Sequence, residues 1–339
     1  MEAIVQQEQV PKLSVVVPVY RGEATVGPLV DRLIAALATK YPLEIVLVND
    51  ASPDASERAC LELAQRYPRT VVYAAMARNF GEHNTVMTGL RLATGDLIVT
   101  MDDDLQNPPE EVEKLVAEAK RGFDAVYARF ERKEHSWFRN LGSRFNDRVA
   151  TLLLGKPHDL YLSTFRTLSR FLVDEITRYQ GPFPYVDSLV LRTTDSISSV
   201  VVRHEPRAVD TSGYNLAKLV AVWLNMTTSA SILPLRVTVV LGLGIAALGG
   251  LLGIWVVIEK IFWPDNSVGW TSLMTALVIF SGMQLVLMGA IGEYVGRVLL
   301  TANGMPQGVL KTLVRNGAVA PAGSAVAAPS AAGRLRSAG

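Results

Sequence analysis

Asp96-Leu97-Ile98-Val99-Thr100-Met101-Asp102-Asp103-Asp104-Leu105-Gln106-Asn107-Pro108-Pro109 decides how this chain is read. The first half is an apolar run of strand length, and three adjacent carboxylates follow it. Burying one unpaired carboxylate is costly, and neighbouring carboxylates repel each other. A divalent cation with phosphates as further ligands relieves both costs, and oxygen-only donors suit Mg²⁺ or Mn²⁺. Open α/β sheets bind ligands beyond the carboxyl ends of their strands, which is where this turn falls. The plainer alternative is a solvated acidic turn that caps a helix starting at Pro108.

The surrounding pattern supports a sheet. Leu13-Ser14-Val15-Val16-Val17-Pro18-Val19, Leu43-Glu44-Ile45-Val46-Leu47-Val48 and segments 70–76 and 123–128 read as further strands. Between them, 26–39 carries Leu29, Leu33, Ile34 and Leu37 on one helical face. Ser52-Pro53-Asp54 opens a second helix to about 67, with Asp54 as cap and Glu57 three residues on. Segment 83–93 makes a third helix, and Pro108-Pro109 begin a fourth with Glu110 and Glu111 in its first turn. Strands alternating with helices of this length imply a mainly parallel, Rossmann-like α/β sheet covered on both faces. A dinucleotide site needs Gly-x-Gly-x-x-Gly after the first strand. Pro18-Val19-Tyr20-Arg21-Gly22-Glu23 stands there instead, so a nicotinamide or flavin cofactor is rejected.

Composition bounds the rest. The 339 residues hold 33 Lys+Arg against 32 Asp+Glu, a net charge of +1 that makes no case for a nucleic-acid partner. Cys60 is the only cysteine, so no intrachain disulfide can form. The first residues lack a basic stretch followed by an apolar core, so no signal peptide is expected. Segments 237–258 and 269–292 carry no charge, and each is long enough to cross a bilayer. The connector holds Glu259, Lys260 and Asp265, while Lys218, Arg236, Arg297, Lys311 and Arg315 flank the pair. That asymmetry predicts both termini in the cytoplasm. Trp255, Trp263 and Trp270 suit an interfacial belt. The expected divisions are a 1–12 extension, a 13–210 cytoplasmic domain, a 211–234 interfacial region, 235–300 in the membrane and a 301–339 cytoplasmic tail. From Gly317 onward, Ala, Gly, Ser and Pro dominate and the tail is expected to be disordered.

At this point the motifs resemble a known family. Val15 to Tyr20 with Glu23, then Val48-Asn49-Asp50-Ala51-Ser52-Pro53-Asp54, Gly95-Asp96 and the acidic turn are similar to family 2 inverting glycosyltransferases. More narrowly, the chain resembles polyprenyl-phosphate glycosyltransferases with two C-terminal membrane helices. These include bactoprenol glucosyltransferases, dolichol-phosphate mannose synthases and undecaprenyl-phosphate 4-deoxy-4-formamido-arabinose transferases. The last group is nearest, through Arg78-Asn79-Phe80-Gly81-Glu82-His83 and Ser136-Trp137-Phe138-Arg139. Ile291-Gly292-Glu293-Tyr294-Val295-Gly296-Arg297 also fits.

The resemblance implies a glycosyltransferase A-type fold and a set of roles. Pro18, Tyr20 and Glu23 would line the nucleotide pocket, and Asp50 would accept a hydrogen bond from uracil. Asp102, Asp104 and Gln106 would hold Mg²⁺ or Mn²⁺ on the donor diphosphate; alternate residues of an extended segment point the same way. Asp103 would point away from the metal. Arg129, Arg139 and Ser143 match residues that grip the acceptor lipid's phosphate, and Arg139 and Ser143 share a face if helical. Arg207, Ser212 and Tyr214 resemble a segment closing over the diphosphate, with Gly213 where relatives often carry Lys. Ser163-Thr164-Phe165-Arg166 stands where bactoprenol enzymes carry Gly-Asp-Phe-Arg, which leaves Asp159 as a substitute base. Asp187 is a candidate for sugar recognition or a helix cap, and the four histidines read as surface or packing residues.

The implied reaction is metal-assisted inverting transfer from a nucleotide-sugar to a polyprenyl phosphate at the bacterial inner membrane. Membrane lipids would be a partner, and the resemblance allows a homo-tetramer. A processive polysaccharide synthase is the competing enzyme, but its Gln-x-x-Arg-Trp motif is absent. A silent nucleotide-sugar-binding scaffold is the non-catalytic alternative, against which the intact acidic and basic sets argue.

Overall fold

The computed structural model describes residues 10–130, 160–205, 233–262 and 269–320. Its backbone forms two units, one of residues 1–214 with 306–339 and one of residues 215–305.

The first unit is built on a mixed sheet. In chain order the strands are β1 (Leu13–Val19), β2 (Leu43–Asn49), β3 (Val71–Met76), β4 (Leu97–Thr100), β5 (Ala125–Phe130), β6 (Arg166–Ser169), β7 (Ile197–Val202), β8 (Leu310–Arg315) and β9 (Ala318–Ala320). They lie side by side as β7-β5-β6-β4-β1-β2-β3-β8-β9. The centre, β4-β1-β2-β3, is parallel throughout. β6 runs antiparallel to both β4 and β5, and β8 runs antiparallel to β3. The five strands expected from the sequence are present, with the fifth displaced two residues toward the C-terminus.

The helices follow from amphipathic periodicity. They are α1 (Val26–Leu37), α2 (Ser56–Arg66), α3 (Glu82–Leu92), α4 (Val112–Ala119), α5 (Arg170–Ile176) and α6 (Val186–Thr193). β1 is buried on both faces, so alternate residues feed two cores. Val15 and Val17 join Leu29, Leu33 and Leu115 in one core. Val16 joins Met87, Leu90 and Leu172 in the other. Asp54 does not cap α2 directly. The N-cap is Ala55, and Asp54 lies one residue further out, where its Oδ1 accepts the Ser56 amide at 3.2 Å.

The tail expectation needs correction. Residues 310–320 add a hairpin to the sheet rather than trailing from it. Arg315 pairs with Ala318 across Asn316-Gly317, whose φ values of 52° and 72° are those of a tight hairpin turn. Leu310, Leu313 and Val314 are buried against β3 and its surroundings, which the Ala- and Gly-rich composition downstream obscured. Residues 321–339 lie outside the described residues.

The second unit holds α7 (Leu233–Phe262) and α8 (Trp270–Ala302). They have 30 and 33 residues, so they measure about 45 and 50 Å, against a hydrocarbon layer of about 30 Å. Windows Thr238–Trp255 and Ile279–Ala302 are apolar enough to cross a membrane. Leu243, Leu251, Leu285 and Val286 lie open on these helices, an apolar surface suited to lipid.

Candidate active site

The loops at the carboxyl ends of β1, β2 and β4 are laced together. The Arg21 amide donates to Ser52 Oγ at 2.7 Å, and the Gly22 amide to Ser56 Oγ at 2.9 Å. The Glu23 amide donates to Asp54 Oδ2, while Glu23 Oε2 accepts the Ala55 amide, both at 3.3 Å. Burial works to raise the Asp54 carboxyl, but hydrogen bonds from Ser52, Ser56 and backbone amides outweigh it and leave the carboxyl lowered. Arg21, Ala51 and Leu105 all have positive φ, at 59°, 48° and 60°. Non-glycine residues held there store strain, and these three mark the ends of β1, β2 and β4.

Asp103 points inward from the acidic turn. Its Oδ2 accepts the Tyr20 amide at 3.3 Å, and a Cβ on Gly22 would stand 2.1 Å from that oxygen. A larger residue at position 22 would have to displace that carboxylate. Burial, chiefly, pushes the Asp103 carboxyl up to about 7, with Asp102 and Asp104 adding to the effect. Asp102 Oδ2 accepts the Thr164 hydroxyl at 2.7 Å, and Asp104 Oδ1 accepts the Gln106 amide at 3.1 Å. The Thr164 carbonyl in turn accepts the Thr100 hydroxyl at 2.6 Å, which registers this turn to β4. Among the described residues no three His, Cys, Asp or Glu side chains converge as a preformed metal centre. Asp102 and Asp104 offer hard oxygen donors, a set that fits a cation completed by substrate phosphates.

Beside the turn lies a cleft whose walls include Pro18, Glu82, His83, Asp102, Thr164 and Arg166. On that wall, Arg166 and Asp187 form a buried ion pair, and the Tyr127 hydroxyl donates to Asp187 Oδ1 at 3.0 Å. Glu82 stands exposed at the mouth. Crowding by protein, then the Asp102 charge, push its carboxyl up to about 7 against the pull of Arg166. Burial lowers the His83 imidazole, which packs edge-on to Tyr185 with ring centroids 4.9 Å apart.

Of the expected site residues, Pro18 and Asp102 line the cleft, with Asp104 and Gln106 further along the same turn. Tyr20 is 47% exposed, with the Arg21 guanidinium 5.7 Å from its ring centre. Asp50 is only 4% exposed, and its two oxygens accept the amides of Phe80 and Gly81 at 2.7 and 2.9 Å. Its first role is therefore to tether the loop before α3. Arg129 is exposed on β5, opposite Val201 of β7. Arg139, Ser143, Asp159, Arg207, Ser212 and Tyr214 lie outside the described residues. His83 packs on Tyr185, as the packing reading expects, and it also lines the cleft. His204 does pack, with its ring 4.4 Å from that of Phe130. Asp187 lines the same cleft while paired with Arg166 and Tyr127.

A layered α/β sheet with laced loops and carboxylates at its carboxyl edge sets polar groups where open α/β sheets bind their ligands. Residues 14–177 match the model of glycosyl transferase family 2, and residues 233–298 match that of the GtrB C-terminal hairpin. The undecaprenyl-phosphate 4-deoxy-4-formamido-L-arabinose transferase of Enterobacter sp. (strain 638) is 33% identical, covering 92% of this chain and 96% of that one. The transferase of the same name from Proteus mirabilis (strain HI4320) is 32% identical over 91% and 95%. Glucosyl-3-phosphoglycerate synthase from Mycobacterium tuberculosis, solved with Mn²⁺, UDP and phosphoglyceric acid, superposes at a TM-score of 0.47. It is 18% identical over 62% of this chain and 74% of that one. The chain belongs to the family 2 glycosyltransferases and carries a GtrB-type C-terminal hairpin. It is a glycosyltransferase and a membrane protein.

Proposed function

We propose that this enzyme transfers a sugar from a UDP-linked donor to undecaprenyl phosphate, making a lipid-linked monosaccharide for the bacterial cell envelope. The near-full-length likeness to transferases named for undecaprenyl phosphate carries this reading. The exposed apolar helices support it by offering a way to reach a lipid acceptor.

A phosphate oxygen of the acceptor attacks the sugar's anomeric carbon as the bond from that carbon to the UDP oxygen breaks, and UDP departs. One displacement inverts the anomeric configuration. A monoester is already largely dianionic at neutral pH, its second pKa being about 6, so the nucleophile needs little help from a base such as Asp159. Arg129, with Arg139 and Ser143, would hold it in line. Mg²⁺ or Mn²⁺ bound by Asp102, Asp104 and Gln106 would offset charge growing on the diphosphate. Tyr20 and Glu23, with Pro18, would border the nucleotide, and Asp50 would shape its base site through the loop it tethers. Arg207, Ser212 and Tyr214 would close over the diphosphate. The basic flanks of the apolar pair would keep the catalytic unit and both termini in the cytoplasm of a bacterial inner-membrane protein.

Purified full-length protein given labelled UDP-sugars, undecaprenyl phosphate and Mg²⁺ or Mn²⁺ tests this. A single labelled sugar in the lipid extract, lost in Asp104→Asn, is the expected result. Polymeric product, or lipid label that survives Asp104→Asn and chelation together, would overturn it.

A further inference from the structure

The strand order β2-β1-β4-β6 sets three features in a row along the sheet's carboxyl edge. First come the laced loops after β2 and β1, then the acidic turn after β4, then the cleft between β4, the turn before β6, and the first turn of α3. A donor with its base by Tyr20 and its diphosphate on the acidic turn would extend its sugar into that cleft. We propose that the cleft is the sugar pocket of the donor, that Glu82 and His83 determine which sugar it takes, and that it admits neutral sugars rich in hydroxyl or amide N–H donors while rejecting sugar carboxylates. This rests on the donor reading above.

The charges argue for it. Arg166 is the one guanidinium among the cleft's described walls, and Asp187 already balances it. Once a cation occupies Asp102, Glu82 remains as an acceptor with no ion-pair partner among the described residues. A sugar hydroxyl or amide would satisfy it, whereas a uronate would meet a like charge across the pocket. His83 is held by Tyr185 and keeps an imidazole at the same wall, able to offer one donor and one acceptor when neutral. Arg166 contributes independently. It is 2% exposed, and its Nε–H has no acceptor among the described residues. The pocket wall thus holds a buried polar group still short of a partner, as a ligand oxygen would supply.

The test uses full-length enzyme in lipid nanodiscs with Mn²⁺. UDP affinity is measured directly, and UDP-glucose, UDP-N-acetylglucosamine, UDP-4-formamido-arabinose and UDP-galacturonate are ranked by their power to displace UDP. Competition counts non-substrates as well as substrates. Neutral donors should outcompete UDP-galacturonate at least tenfold, and Glu82→Gln should shrink that gap at least tenfold. His83→Ala should reorder the neutral donors. Both variants should leave UDP affinity within twofold. A wild type indifferent to the sugar carboxylate, or variants that weaken every donor equally, would overturn the pocket and leave the donor reading standing. A wild type that does not bind UDP would overturn both.

Discussion

Arg166 and Asp187 form an ion pair almost sealed from solvent, their side chains 3% and 11% exposed. Arg166 opens β6, and Asp187 lies in the first turn of α6, so the pair fastens a strand to a helix at the cleft wall. Removing one partner of such a pair strands a buried charge, at about 3–5 kcal/mol. Asp187→Ala should therefore lower the melting temperature of the full-length protein by roughly 6–20 °C. The double change Arg166→Met with Asp187→Leu should recover much of that loss. Equal melting of the single variant and wild type would show that the pair carries no such weight.

The Asp50 tether gives a separate expectation. Its oxygens take two backbone amides, and hydrogen bonds to a charged group contribute about 1.5–3 kcal/mol each. Asp50→Asn keeps one acceptor and turns an N–H toward the other amide. UDP affinity should fall at least tenfold in this variant, with faster hydrogen exchange at Phe80 and Gly81. Unchanged exchange there would remove the tethering role.

Glu82 predicts a pH dependence of stability. Its folded pKa of about 7 exceeds the ordinary glutamate value of about 4.3. The fold then holds this proton more tightly than the unfolded chain does. Stability is full below the ordinary value and declines as pH rises, until pH passes the folded value. Asp103 acts in the same direction. In metal-free buffer the thermal midpoint should drop between pH 5 and 8, and Glu82→Gln should flatten part of that drop. Identical profiles for the two proteins would count against it.

The returning hairpin makes a fourth prediction. β8 covers the edge of β3, Gln307 Nε2 donates to the Gly181 carbonyl at 2.8 Å, and Arg315 donates to the carbonyl of Leu92. Ending the chain after Met305 should uncover an apolar strand edge and promote aggregation. Size-exclusion profiles in detergent would read this. A monodisperse, fully active truncation would refute it.

Much of the architecture is visible in one dimension because its signals are local. Val15 to Val19 and Ile45 to Val48 are continuous apolar runs of the kind that only a strand buried on both faces requires. The acidic turn likewise announces itself as neighbours in sequence. The cleft does not. Glu82 comes from α3, Asp102 from the turn after β4, and Thr164 with Arg166 from the entry to β6; the pairing of β4 with β6 brings the last two segments together. His83 looks like any helical histidine until Tyr185 is placed against it. The hairpin at 310–320 did leave a trace in Asn316-Gly317, a strong two-residue turn signal, but compositional bias next to it hid the strands on either side.

Because β8 returns to the same sheet that β1 begins, the membrane hairpin is an insertion within one folded unit rather than an appendage at its end. A protease that nicks only the connection before α7 would leave the enzymatic head joined to the bilayer through its last strands. Shedding it would take two cuts, one on each leg.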